Sequence, residues 1–111
     1  MMVAIRRNPH SRLLHALLAM AGTDASIAQA RSEPWASITF QGARHLLSLR
    51  ICGTDAHHRA ADMAEALPEA EFRIPGHIVA DVAVDGRSVG YEEDGTPWAI
   101  LELSALTIED W

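Results

Sequence analysis

The first strongly patterned segment of the chain has the spacing of an amphipathic helix. Its apolar residues recur at intervals of three and four, as Leu13, Leu14, Leu17, Leu18 and Ala21. This spacing places them on one face of a helix that packs against a core. Asn8 suits the N-cap, Pro9 the first helical position and Gly22 the position just beyond the last turn. The pattern therefore predicts a helix between Asn8 and Gly22.

Strand-like alternation replaces the helical spacing after this helix. A weak strand is predicted at 25–31, and the segment WASITFQGARHLLSLRI, residues 35–51, predicts a β-hairpin with Gln41-Gly42 as its two-residue turn. In that register one side of the hairpin belongs to the core, and it carries Ala36, Ile38, Phe40, His45, Leu47, Leu49 and Ile51. The other side is mixed and carries Trp35, Arg44 and Arg50.

A second helix is predicted from Thr54, a good N-cap, to the residue before Pro68. Its apolar stripe consists of Ala56, Ala60, Met63, Ala64 and Leu67. A strand interrupted at Pro75-Gly76 follows the helix. Turns are predicted at Asp85-Gly86 and Asp94-Gly95 on either side of a short strand.

The last predicted strand, WAILELSALTI at residues 98–108, is apolar on both faces. A strand of this kind is usually covered on two sides. The whole order is α-β-β-β-α-β-β-β, and it predicts an α+β fold: a two-layer sandwich in which two helices pack on one face of a mostly antiparallel sheet. We expect one domain over residues 1–111 with a flexible segment at 1–8. The two halves share no residue pattern, so the sequence does not indicate an internal duplication.

Charge is divided unevenly along the chain. The net charge is −6, yet up to Thr54 six arginines face only Asp24 and Glu33, whereas thirteen acids face three arginines from Asp55 onward. The overall negative charge argues against nucleic acid or an anionic membrane as the partner. All nine basic residues are arginine, a bias that we attribute to a GC-rich bacterial genome.

The cellular location is expected to be the cytoplasm. Cys52 is the single cysteine of the chain and cannot form an internal disulfide, which favours a reducing compartment. The alternative is export, because the early arginines, the apolar run and Ala28-Gln29-Ala30 resemble a signal peptide with its cleavage site. Export would remove the first helix and leave a domain starting near Arg31. No segment is apolar enough to span a membrane.

Four polar residues are the candidates for catalysis. His77 and Asp81 alternate onto one face of their strand, and with His45 they could form a general-base site. Glu102 lies between leucines, so burial would require it to pair with Arg44, Arg50 or a histidine, or would raise its pKa by desolvation. The sequence favours a polar residue on the exposed face of its strand. A cleft lined by these four residues is the alternative function, that of a small enzyme or a small-molecule binder.

No metal or cofactor is expected. His57 and His58 are adjacent and point about 100° apart on a helix, so they cannot hold one ion together. His58 and Asp62, four residues apart, are the weak candidate pair for a metal.

The function that the sequence favours is that of a non-catalytic interaction module. We expect a homodimer that binds a protein partner through the sheet face carrying Trp35, Arg44 and Arg50, because Trp and Arg are enriched at binding hot spots. The phosphate loops, nucleophile elbows and zinc motifs of common enzyme classes are absent from the sequence.

Overall fold

The computed structural model of the protein describes residues 8–110. Its helices are α1 (Pro9–Ala21) and α2 (Ala56–Ala66), and a 3₁₀ turn (Leu67–Glu69) extends the second helix. Its strands are β1 (Ala25–Ala36), β2 (Gln41–Cys52), β3 (His77–Tyr91) and β4 (Pro97–Glu109). The flexible segment predicted at 1–8 lies outside the described residues, except for Asn8.

All neighbouring strands are antiparallel, in the order β1-β2-β4-β3. Both helices pack on one face of this sheet, so the predicted two-layer α+β sandwich is confirmed. The predicted order of elements is wrong in its strand count, because each half contributes α-β-β instead of α-β-β-β. The two halves therefore repeat one another in topology without sharing a residue pattern.

The core lies between the helices and the alternate residues of the two central strands. These residues are Leu47, Leu49, Ile51, Ala99, Leu101, Leu103 and Ala105, all buried. We call the opposite side of the sheet the open face. At its centre lie the half-buried side chains of Leu46, Ile100, Leu106 and Ile108.

The first helix has the ends that the sequence predicts. The Asn8 side chain accepts hydrogen bonds from the backbone N–H groups of His10 (3.1 Å) and Ser11 (3.3 Å), and Gly22 follows the last turn with φ +89°. Leu13 and Leu17 are fully buried, so the helix that export would remove is part of the core. Neither helix in the described range is long and apolar enough to cross a bilayer.

The second helix begins one residue later than predicted. Asp55, not Thr54, is the N-cap, and its side chain makes no capping hydrogen bond. The predicted apolar stripe is confirmed, with Ala56, Ala60, Met63 and Leu67 buried. Arg59 joins this helix to the end of α1, since its guanidinium donates to the carbonyls of Ala21 (2.5 Å) and Thr23. The carbonyl of Ala21 is at the end of α1 and that of Thr23 lies just beyond it, where backbone acceptors lack helical partners.

The β1–β2 hairpin turns at residues 37–40, so the predicted turn at Gln41-Gly42 is wrong. Ala36 pairs with Gln41 and Trp35 with Gly42, and the backbone N–H of Ser37 donates to the carbonyl of Phe40 (2.8 Å). Ile38 and Phe40 are consequently exposed at the tip instead of buried in the core. The predicted weak strand at 25–31 and the first two residues of the predicted hairpin, 35 and 36, belong to one strand, β1.

Gly42 is required for a different reason than the turn. A Cβ atom at this position would lie 1.8 Å from the backbone oxygen of Thr107 on β4. Glycine here permits close approach of two backbones, which the sequence alone does not distinguish from a glycine that permits a turn.

A bulge replaces the turn that was predicted at Asp85-Gly86. Val84 pairs with Leu103 and Gly86 with Glu102, so Asp85 is the extra residue in a continuous 15-residue strand. The turn predicted at Asp94-Gly95 is confirmed, because Glu92 and Thr96 close it with a backbone hydrogen bond of 2.8 Å.

We expect the substitution Gly42→Ala to lower the free energy of unfolding by at least about 3 kcal/mol, because the added methyl group meets backbone atoms that cannot rotate away. Urea unfolding followed by circular dichroism measures the change. The control is Gly86→Ala, whose added Cβ would meet Glu102 side-chain atoms at an ordinary 3.7 Å. We expect that control to change stability by no more than about 1 kcal/mol. Equal losses in both variants would contradict the close-approach explanation.

Candidate functional site

The four candidate catalytic residues do not converge. His45 is fully buried on the helix-covered side of β2, and His77 starts β3 on the same side. Asp81 pairs with Leu106, and Glu102 is exposed beside Ser48, so both carboxylates belong to the open face. The sheet therefore separates the two histidines from the two acids.

A bulge accounts for the wrong expectation about His77 and Asp81. Strict alternation would put residues 77, 79 and 81 on one face. The register shifts between Val79 and Asp81, since Val79 pairs with Thr107 and Asp81 with Leu106. The extra residue, Ala80, reverses the alternation, and Asp81 points away from His77.

His45 instead takes part in a network that the sequence did not indicate. Its Nδ1 lies 3.0 Å from Nδ1 of His10, and its Nε2 lies 2.9 Å from Oγ1 of Thr107. The two imidazole rings stack, with centroids 5.2 Å apart. Because a hydrogen bond between two Nδ1 atoms needs one donor and one acceptor, one ring must present a lone pair there. The network holds the start of α1 against β2 and β4.

The pKa of His45 is lowered from 6.5 to about 4. The main cause is burial, which disfavours the charged ring, and the neighbouring rings of His10 and His77 add to the effect. His45 is therefore neutral at physiological pH. Thr107, the other fully buried polar residue of the described chain, satisfies its second nitrogen.

We expect acid to destabilise the protein through His45. In the unfolded chain this ring takes up a proton near pH 6.5, whereas in the folded protein it does so only near pH 4. Above pH 6.5 the ring is neutral in both states and does not change the free energy of unfolding. As the pH falls from 6.5 to 4, the unfolded chain binds the proton and the folded protein does not, so the free energy of unfolding falls. Between pH 7 and pH 4.5 the free energy of unfolding should fall by about 2–3 kcal/mol through His45.

The measurement is urea unfolding at both pH values for the natural protein and for His45→Gln, which keeps a polar side chain but does not titrate. Carboxylates titrate in both proteins. The difference between the two proteins in how far the free energy of unfolding falls is therefore due to His45. Equal losses would show that the ring titrates in the fold as it does in the unfolded chain. His15→Gln, at an exposed position of α1, is the matched control and should leave the loss unchanged.

The predicted metal pair is close together and fully on the surface. Nε2 of His58 lies 3.2 Å from a carboxylate oxygen of Asp62, and both side chains are exposed. The structure, over residues 8–110, contains no group of three or more His, Cys, Asp or Glu side chains placed to hold a metal ion. His57 points elsewhere: its Nε2–H donates to the carbonyl of Gly90 (3.0 Å), and its ring meets Tyr91 edge-on.

The predicted partner residues share the open face but lie at two ends of it. Trp35 pairs with Gly42, and Arg44 is two residues further along β2. Arg50 is six residues beyond Arg44, or about 20 Å along the strand. Its guanidinium forms an ion pair with Glu92 and lies 5.8 Å from the centre of the Trp98 ring. The three residues therefore flank the face instead of forming one platform.

The centre of the open face mixes aliphatic and polar side chains, with Leu46, Ile100 and Leu106 beside Ser48, Glu102 and Ser104. Ser48 Oγ donates to the carboxylate of Glu102 across 2.5 Å, and Glu102 is exposed, so the condition of burial under which it would need an arginine or a histidine does not arise. The neighbours of this pair on the same face are Leu46 and Arg50 on β2 and Ile100 and Ser104 on β4. Cys52, half-buried, pairs with Trp98 at the edge of the same face.

The fold is similar to that of one chain in a solved virus-like particle. That structure is described as the virion of a native gene transfer agent particle, and the match has a TM-score of 0.62 with 18% sequence identity. It covers 83% of this chain and 84% of that chain. No family model matches the sequence, and no curated protein matches it either. At this identity the likeness shows a shared fold.

Proposed function

We propose that the protein is a non-catalytic structural subunit of a multi-protein particle, and that it pairs with a second copy of itself through the open face of its sheet. The observation that carries the proposal is the composition of this face. Leu46, Ile100, Leu106 and Ile108 of β2 and β4 lie on it among Ser48, Glu102 and Ser104, and no described element covers these aliphatic side chains.

In an antiparallel sheet with one face exposed to solvent, apolar and polar residues ordinarily alternate along each strand. β4 departs from this rule, because Ile100, Leu106 and Ile108 face outward while Leu101 and Leu103 face the core. Outward aliphatic side chains that no described element covers suit an interaction site, although Glu102 and Ser104 lie between Ile100 and Leu106. The departure supports an interface on the open face.

The residues around the apolar centre also suit an interface. Trp35 and Arg44 lie at one end, and the stacked Arg50 and Trp98 lie at the other. Trp and Arg are the residue types most enriched among those that dominate binding energy, with an apolar core and a polar rim as the usual arrangement. The three residues named from the sequence would thus form the rim of the contact.

The structural neighbour supports an assembly role in particular. It is a component of a multi-subunit virion, and the match extends over most of both chains. The net charge of −6 favours a protein surface over nucleic acid as the partner. A bacterial cytoplasm, where the lone thiol of Cys52 stays reduced, is the compartment in which we place the assembly.

The alternative function, a small enzyme or small-molecule binder, has less support. It needs His45, His77, Asp81 and Glu102 in one cleft, and the sheet separates the first two from the last two. His45 is neutral and fully engaged with His10 and Thr107. We therefore do not propose catalysis.

We expect the natural protein to sediment as a dimer or a larger species and Ile100→Arg to weaken its dimerisation at least about tenfold, because the substitution buries a charge at the centre of the contact. Analytical ultracentrifugation over a concentration series measures the effect, and circular dichroism checks the fold. The matched control is Val89→Arg, an exposed position outside the open face, which should assemble normally. A natural protein that stays monomeric at every concentration would refute the proposed function.

A further inference from the structure

The hydrogen bonds around His45 leave one of its ring nitrogens to accept an acid proton. Thr107 Oγ1 donates to the carbonyl of Ala43 (3.5 Å), so the same hydroxyl oxygen accepts from Nε2–H of His45 (2.9 Å). A neutral imidazole carries a single N–H. Nδ1 of His45 therefore has a lone pair, and it faces Nδ1 of His10 at 3.0 Å. We call His10 and His45 the facing pair.

The facing pair can hold one acid proton but not two. With one, the charged ring donates from Nδ1 to the lone pair of the neutral ring. With two, both Nδ1 atoms carry a hydrogen, so two donors and two positive charges would lie 3.0 Å apart. The contact between His10 and His45 cannot survive full protonation of the pair.

The groups around the facing pair do not offset a second positive charge. On the sheet they are Ser32 opposite His45 on β1, His77 on β3, and Thr107, Glu109 and the following Asp110 on and after β4; beside α1 and β3 they are Arg12, His15, Glu71 and Arg73. The three acids form no ion pair with either ring of the pair among the described residues. The charged groups that shift the pKa of His45 are His10 and His77, and both lower it.

The first turn of α1 can leave the sheet without opening the core. In this turn Pro9 and His10 are half-buried, and Ser11 and Arg12 are exposed. The rest of the helix is anchored separately, because Leu13 and Leu17 are fully buried. Helix ends open at a lower free-energy cost than a packed core does. Departure of the His10 ring would give Nδ1 of His45 a water molecule as its acceptor.

We propose that the facing pair is an acid switch for the start of α1: when both rings are protonated, residues 8–12 leave the sheet while the rest of the fold stays closed. In the open form Nε2–H of His45 still donates to Thr107, and the new Nδ1–H donates to water. The switch lies on the helix-covered side of the sheet, so it does not depend on the pairing proposed for the open face.

The test is amide hydrogen exchange of the natural protein, followed by NMR at pH 7 and pH 4.5 and corrected for the intrinsic exchange rate at each pH. The amides of Ser11 and Arg12 donate to Asn8 and report opening of the first turn. The amides of the central strands β2 and β4 report unfolding of the whole domain. Low concentrations of urea distinguish the two events, because local opening exposes little surface and responds little to urea.

We expect the opening equilibrium of the first turn to rise about 50-fold between pH 7 and pH 4.5, since His45 binds its proton near pH 6.5 when open and near pH 4 when closed. At pH 4.5 the exchange of Ser11 and Arg12 should be faster than that of the strand amides and independent of urea. His45→Gln does not titrate and should reduce the rise to less than about threefold. The matched control is His58→Gln, an exposed histidine on α2, which should keep the full rise.

Two results would overturn the switch. If Ser11 and Arg12 keep the protection and the urea dependence of the strand amides at pH 4.5, the start of α1 opens only when the whole domain unfolds. If they open locally but to the same extent at both pH values, or as steeply in His45→Gln as in the natural protein, the facing pair is not the trigger. The first comparison uses the natural protein alone, so it holds even if His45→Gln does not fold.

Discussion

The pairing of β2 with β4 is the constraint on which the rest of the structure depends. Leu47 lies opposite Leu103 and Leu49 opposite Leu101, and all four are buried under the helices. Burial of this apolar surface is the dominant favourable term in folding. The pairing joins the two α-β-β halves, and Arg59 of α2 adds hydrogen bonds to the end of α1. Each half leaves its helix on the same side of the joined sheet.

Covering one side of the sheet leaves the other side without a layer. Two helices of 13 and 11 residues cover the core face of the central strands, and β4 still presents aliphatic side chains on its second face. The fold thus completes its own core and keeps aliphatic side chains on a face that no described element covers. The hairpin tip likewise presents apolar side chains to solvent, because Ile38 and Phe40 are outside the core. These two surfaces are the features on which the proposed assembly role depends.

The buried histidine network is the polar element of an otherwise apolar layer. His45 accepts burial because His10 and Thr107 satisfy both of its ring nitrogens, and a buried polar group that is fully hydrogen-bonded costs little. Burial makes protonation of His45 unfavourable and so lowers its pKa, and the rings of His10 and His77 add to the effect. The start of α1 is therefore attached to the sheet by a contact that suits neutral pH, and the acid sensitivity of the fold follows from its packing.

Local patterns in the sequence determined the helices, the α+β class and the two-sided apolar character of β4. Asn8, Pro9 and Gly22 act within one helix, and alternation along β4 is a property of consecutive residues. Tertiary structure alone decided the rest. Gly42 serves a close approach to Thr107 and not a turn, and the extra residue in a bulge moves Asp81 to the face opposite His77. His10 and His45 meet across 35 positions. Each of these depends on which backbone lies alongside which, and that is set by contacts between distant segments that no local spacing encodes.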